Sequence, residues 1–193
     1  MKKLAAILMA VLMLCTILTG CGKNADAPTT ASTTAATEPT TEPTATSKYD
    51  EIFAKYHIVN GPAPFVTLDS ASFAMETDNL IEKIEFGYED NIVCELIHTV
   101  YYPVANWPDE DKVALDETMR ETVAPYTALD FCTGTFNAGA AYYTLKLEFT
   151  GLDSVDHAAA LQELGLIETD ETSGLCHMSE AEAILLAQGY VKK

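Results

Sequence analysis

The alternation of apolar and polar residues from Ala141 to Phe149 constrains the fold more than any other stretch. Ala141, Tyr143, Leu145, Leu147 and Phe149 alternate with Tyr142, Thr144, Lys146 and Glu148. A period of two sets one series against a core and the other in water, the mark of a half-buried strand. Two earlier stretches share that period. Between Leu80 and Tyr88, the residues Ile84, Phe86 and Tyr88 oppose Lys83 and Glu85. Between Ile92 and Tyr102, Cys94, Leu96, His98 and Val100 share one face; Val93, Glu95, Ile97 and Thr99 make a mixed opposite face, which suits a central strand. Glu89-Asp90-Asn91 supplies turn chemistry between them, so the two predict a hairpin. Phe73–Glu76 and Phe131–Phe136 read as shorter strands, followed by turns at Thr77-Asp78-Asn79 and Asn137-Ala138-Gly139.

Helical spacing fills the gaps. Trp107-Pro108-Asp109-Glu110-Asp111 opens a helix: proline is tolerated in a first turn, and three acids complement the positive helix end. Leu115, Met119, Val123 and Tyr126 form its apolar stripe, and Pro125 predicts an end by Ala124. Near the C-terminus, Asp153 or Ser154 caps a helix carrying Val155, Ala158, Leu161 and Leu164 and meeting Gly165. Ser179-Glu180-Ala181-Glu182 has the form of a capping box for a last helix, which Gly189 stops. The order β-β-α-β-β-α-α predicts an α+β domain with an antiparallel sheet of about four strands and helices packed on one face. The domain runs over 49–193, with 49–72 as an N-terminal extension. There Ile52, Phe53 and Tyr56 predict a short helix docked on the core and ending before Asn60-Gly61-Pro62.

From Tyr49 onward the chain carries 26 Asp and Glu against 7 Lys and Arg. Such a surface repels nucleic acid and anionic lipid headgroups, which excludes both as partners. Acidic residues of this kind ordinarily form a solvated face, the alternative being attraction of cationic ligands. Cys94, Cys132 and Cys176 are spaced too widely for a zinc ribbon. They either form one disulfide with a thiol left over or serve as buried thiols.

Residues 22–48 contain nine Thr and three Pro and no Leu, Ile, Val, Met or aromatic side chain. Nothing there offsets the entropy of ordering, so the stretch predicts a disordered tether. Ahead of it, Lys2 and Lys3 precede an apolar run from Leu4 to Leu18, shorter than the roughly 20 residues a membrane-crossing helix needs. Residues 1–20 therefore predict a removed signal peptide. Its end, Leu18-Thr19-Gly20-Cys21, resembles the lipobox of bacterial lipoproteins. The resemblance implies cleavage before Cys21 and a diacylglycerol thioether on its sulfur, with anchoring on the extracytoplasmic face of the cell membrane. Two acyl chains hold stably where one is marginal.

A second resemblance covers roughly residues 73–193. Phe86-x-Tyr88-Glu89-Asp90-Asn91-Ile92-Val93, the acidic helix, Met178-Ser179-Glu180-Ala181-Glu182 and the ending Ala187-Gln188-Gly189-Tyr190-Val191-Lys192-Lys193 look like the YehR-like small bacterial lipoproteins. That family is a domain of unknown function with the same anchor, and its motifs are structural, so no catalytic residues carry over. The long tether, the acidity and the segment 49–72 depart from its pattern.

Motifs of catalysis are missing: the sequence has no G-x-S-x-G, H-E-x-x-H, P-loop or EF-hand loop. His57, His98, His157 and His177 each stand alone. His98, on an apolar strand face, reads as a hydrogen-bonded core histidine rather than a ligand. Cys176 and His177 would make a nucleophile and base only if adjacent side chains turned to one side. Gly134 to Gly139 lies between strands and reads as a hairpin loop rather than a phosphate cradle. Glu168, Asp170 and Glu171 with Thr169 and Thr172 read as a solvated loop, with weak calcium binding as the alternative. Trp107 reads as a staple ahead of its helix. The sequence thus predicts a lipid-anchored binding or interaction module at the bacterial envelope, with Cys21 its one assignable site and no catalytic, cofactor or metal residue. Its partners are the membrane, through that lipid, and an unidentified envelope protein or small ligand. The alternatives are an envelope enzyme built from dispersed Asp, Glu and His, or a weak cation-binding module.

Overall fold

A computed structural model describes residues 46–61 and 64–193; the signal segment, Cys21 and the tether as far as Ala45 lie outside the described residues. One open antiparallel sheet contains β1 (Asp69–Glu76), β2 (Ile81–Glu89), β3 (Ile92–Pro103), β4 (Cys132–Ala138), β5 (Tyr142–Thr150) and β6 (Val191–Lys192), in the order β4-β5-β3-β2-β1-β6. Four helices accompany it: α1 (Lys48–Lys55), α2 (Asp109–Thr127), α3 (Val155–Glu163) and α4 (Met178–Ala187). This is the α+β class expected, with six strands in place of about four. β1 starts earlier than Phe73, and β6, too short to carry a period, pairs with Phe73 and Ala74 on the edge of β1.

The β2–β3 hairpin turns on Asp90 and Asn91 alone, at φ 48° and 69°. Two positive φ values in a two-residue loop match the twist of the flanking strands, and Asp and Asn tolerate that conformation. β3 is central, pairing with β2 on one side and β5 on the other. The register sets Phe86 opposite Leu96 and Leu96 opposite Phe149, so one face of three strands is apolar. On it pack Ala158 and Leu161 of α3, Met178 and Leu185 of α4, and, further along, Leu115 and Met119 of α2 against Val100, Tyr102 and Leu145. Each fully buried Leu or Phe here contributes roughly 1.5–3 kcal/mol.

α2, α3 and α4 share that front face, as expected for the core region. α1 lies on the reverse face, where Tyr49 and Phe53 cover Ala74 and Ile81. The reverse face is apolar enough at those positions to require a cover. α1 begins at Ser47, whose hydroxyl accepts the Asp50 amide at 3.2 Å. The segment after it also crosses this face: a Cβ on Gly87 would lie 2.8 Å from Phe65 Cδ1 and 2.9 Å from Leu68 Cδ1. All three core clusters draw their members from Tyr49 onward.

Two helix ends differ from the expectation. α2 runs through Pro125 to Thr127 instead of stopping by Ala124. Proline in the last turn removes one amide, while Tyr126 gains an edge-on contact with Phe149 (6.3 Å between ring centroids) and the Ala128 amide still reaches Ala124 O. At α4 the capping box does not form. The helix starts two residues earlier, at Met178, and its amides are capped from the hairpin turn: Met178 N donates to Asn91 O (2.8 Å) and Ser179 N to Asn91 Oδ1 (3.0 Å). Glu182 pairs with Lys192 rather than folding back.

Candidate functional site

Strand alternation positions the site. Glu82, Ile84 and Phe86 of β2 project to the front face with Leu96, His98 and Val100 of β3. Ile84 stands opposite His98 and Glu82 opposite Val100, so Glu82 and His98 are diagonal neighbours on one face. α4 and the segment after α3 roof this part of the sheet without filling it. A chamber of about 330 Å³ remains, floored by Met75, Leu80, Ile84 and Leu96 and roofed by Leu166, Ile167, Ala181, Ile184 and Leu185. A hollow of about 50 Å³ beneath α2 adjoins it, and Leu80, Glu82, His98 and Leu166 line both. The larger space falls in the size range of small-molecule sites, and its wall is mostly apolar with few polar groups, the usual character of such sites.

Those polar groups are buried. Glu82 is 5% exposed and His98 8%. The Tyr190 hydroxyl, brought in by the turn after α4, donates to Glu82 Oε2. Burial, and then the charge of Glu82, raise the Tyr190 pKa, so the hydroxyl keeps its proton and Glu82 accepts. None of the ion pairs among the described residues involves Glu82, and no Lys or Arg lines the chamber. His98 Nε2 is buried without a hydrogen-bond partner. Burial holds the imidazole pKa below the ordinary histidine value, and the Glu82 charge opposes this in part. A neutral ring and the Glu82 side chain thus face one apolar space. Cys176 also lines it, with its thiol pushed up to about 12 by burial, so it is no ready nucleophile.

The other candidates are dispersed. His98 lies on the apolar face as expected, but the hydrogen bond expected of a core histidine is missing. Cys176 is buried while His177, beside it, sets Nε2 3.3 Å from Ser173 Oγ, so the two do not form a pair. His157 Nδ1 sits 2.9 Å from Gly151 O and its ring stacks on Phe131, and His57 is exposed at φ 56°. In the acidic loop Asp170 Oδ1 accepts the amides of Thr172 (3.0 Å) and Ser173 (2.7 Å), which hold its pKa below the usual range. Among the described residues no group of three or more His, Cys, Asp or Glu is placed to hold a metal ion. Cys94, Cys132 and Cys176 are all free thiols. Trp107 packs at the margin of the α2 cluster. Glu82, Tyr190 and the chamber were not legible as a site. The available signal was a carboxylate at an apolar phase of the β2 alternation, two residues before Ile84.

No family model matches the chain, and no curated protein matches it. Among solved structures, the NMR structure of the YehR protein of E. coli is similar over 65% of this chain and 91% of its own, at 16% identity and a TM-score of 0.52. The NMR structure of a protein from Streptococcus pneumoniae TIGR4 aligns over 86% of this chain and all of its own, at 18% identity and a TM-score of 0.43. The first of these shows a YehR-like fold for the α+β domain, and the fold alone.

Proposed function

We propose that the protein is a bacterial lipoprotein, held by a diacylglycerol on Cys21 at the extracytoplasmic face of the membrane. The Thr- and Pro-rich stretch spaces a non-catalytic module that encloses a small apolar ligand. The observation that carries the binding half is the chamber of about 330 Å³ between sheet and α4, apolar but for Glu82, His98, Tyr190 and a few rim groups. The lipobox Leu18-Thr19-Gly20-Cys21 carries the anchoring half. Among the described residues no helix is long and apolar enough to cross a membrane.

Both halves are testable. The full chain expressed in a bacterium should take up labelled palmitate and stay with membranes after a high-salt wash, and Cys21→Ser should lose the label. Label retained by that variant would sink the anchor. The chain from Gly22, which keeps every described element, should bind decanol in calorimetry with a negative heat-capacity change. Ala181→Phe, which fills the roof, should abolish that binding. Undiminished binding by the filled variant would place the alkanol elsewhere. The enzyme reading draws on the same convergence of Glu82 and His98, but the only thiol there is held protonated by burial, which favours holding a ligand over attacking it.

A further inference from the structure

A carboxylate that is 5% exposed, with a single protein hydrogen bond and no cation against it, is an incomplete arrangement. Buried charges are ordinarily paired, because desolvation otherwise costs several kcal/mol. Here the Tyr190 hydroxyl donates to Oε2 of Glu82, the one hydrogen bond to that side chain among the described residues. The diagonal neighbour, His98, adds a buried Nε2 with no partner. Both facts ask for the same complement, a donor-rich cation reaching the chamber floor from inside the apolar space.

We propose that the chamber's ligand is an amphiphilic amine, an apolar body with a primary ammonium head seated between Glu82 and His98. This deepens the binding reading above and rests on it. An ammonium carries three donors and no acceptor, so it bonds the carboxylate and a neutral imidazole nitrogen together. A hydroxyl head would satisfy a lone pair but leave the charge unneutralised, and a carboxylate head would meet Glu82 as a like charge. The body follows from the walls and the volume. The walls are mostly apolar and the space of about 330 Å³ is in the range of small-molecule sites, so a chain of decylamine's length serves as the probe. The whole domain favours the approach, since 26 acids against 7 bases raise the local concentration of cations, and Glu168 stands among the residues lining the chamber.

Decylamine, decanol and decanoate share one chain and differ in the head, so calorimetric titration of the chain from Gly22 at low salt separates the possibilities. Decylamine is expected to bind more tightly than decanol by about tenfold or more, with decanoate weakest. Glu82→Gln should remove that preference while decanol affinity stays within about threefold. Equal affinity for amine and alcohol, or tightest binding of decanoate, overturns the ammonium head and leaves the chamber as an apolar site. Unchanged amine affinity in Glu82→Gln overturns it as well. Binding of none of the three overturns the chamber reading itself. Should Glu82→Gln not fold, the three-way comparison on the unsubstituted chain decides alone.

Discussion

Asn91 ties the roof of the chamber to its floor, and substitutions there give a graded test. The residue sits in the hairpin turn at φ 69°, and its side chain spans to α4, with Oδ1 accepting the Ser179 amide (3.0 Å) and Nδ2 donating to Ser179 Oγ (3.1 Å). Asn91→Gly keeps the positive φ at no cost and deletes only the cap, so about 1 kcal/mol should be lost. Asn91→Ala deletes the cap and also puts a Cβ into the left-handed region, adding about 1–2 kcal/mol. For a domain of this size each kcal/mol lowers the melting temperature by about 3–4 °C, so Asn91→Gly should melt about 3–4 °C lower and Asn91→Ala about 6–12 °C lower. Ser179→Ala separates the two ways of capping α4. A local capping box would make it cost about 1 kcal/mol. The observed geometry, in which Ser179 Oγ only accepts an exposed bond from Asn91, limits the loss to roughly 0.5 kcal/mol. Urea melts of the three variants decide it. No loss in Asn91→Gly, or a Ser179→Ala loss exceeding that of Asn91→Gly, would refute a cap supplied from the hairpin, and equal losses in Asn91→Gly and Asn91→Ala would refute the left-handed strain.

Three further outcomes follow from buried groups. His98 has a folded pKa lowered by burial, so the unfolded chain takes up its proton first as pH falls below about 6.5. The stability this residue confers is present above that value and is lost toward the lower folded pKa, by at most about 1.4 kcal/mol per pH unit. The melting-temperature difference between His98→Leu and the parent should therefore grow in favour of the variant from pH 7 to pH 5.5, and a constant difference would contradict a neutral buried ring. On the reverse face Lys83 and Glu85 form a 2.9 Å ion pair, each side chain under 10% exposed. Glu85→Gln, which strands the ammonium, should cost about 3–5 kcal/mol in urea melts, whereas Lys83→Met with Glu85→Leu should be near neutral. Lastly, burial raises all three thiols, Cys132 to about 11 and Cys176 to about 12. The folded domain should react slowly with a thiol-specific disulfide reagent at pH 7.5, and its melting temperature should not move with reductant; a reductant-induced drop would reveal a disulfide.

What was legible from sequence follows the period of each element. β2, β3 and β5 alternate over many residues, and most of their faces emerge as read, with Ile84 and Phe86 beside Leu96, Leu147 and Phe149 on one side and Lys83 and Glu85 on the other; at the start of β3 a bulge opposite Gly87 and Tyr88 breaks the period and puts Val93, not Cys94, in the front core. The turn at Asp90-Asn91 was legible for the same local reason. What failed were features decided from a distance. Pro125 ends a helix by its own chemistry, yet the packing of Tyr126 on Phe149 accompanies an α2 that runs two residues past it. Ser179 has a capping box in sequence, but Asn91, 88 residues away, occupies the role.

The chamber belongs to that second class, and its origin lies in the same connection. A roof helix lying flat along its whole length would press Ala181 and Ile184 onto the floor, as Leu185 already packs with Ile84 and Leu96, and would close the space. α4 is instead fixed at its start by Asn91 and at its end by Gly189 (φ 95°), after which Tyr190 turns in to meet Glu82. Both ends of the helix are thus tied to the β1–β3 part of the sheet while its middle spans the floor, and two polar residues occupy floor positions where alternation calls for apolar ones. A core meant only to be stable would carry Leu or Val at 82 and 98, since each buried polar group without full satisfaction costs about 1–3 kcal/mol. Under the binding proposed above an occupant offsets that cost at two diagonal positions beside one open space, and replacing both residues with Leu should raise the melting temperature while abolishing the preference for decylamine.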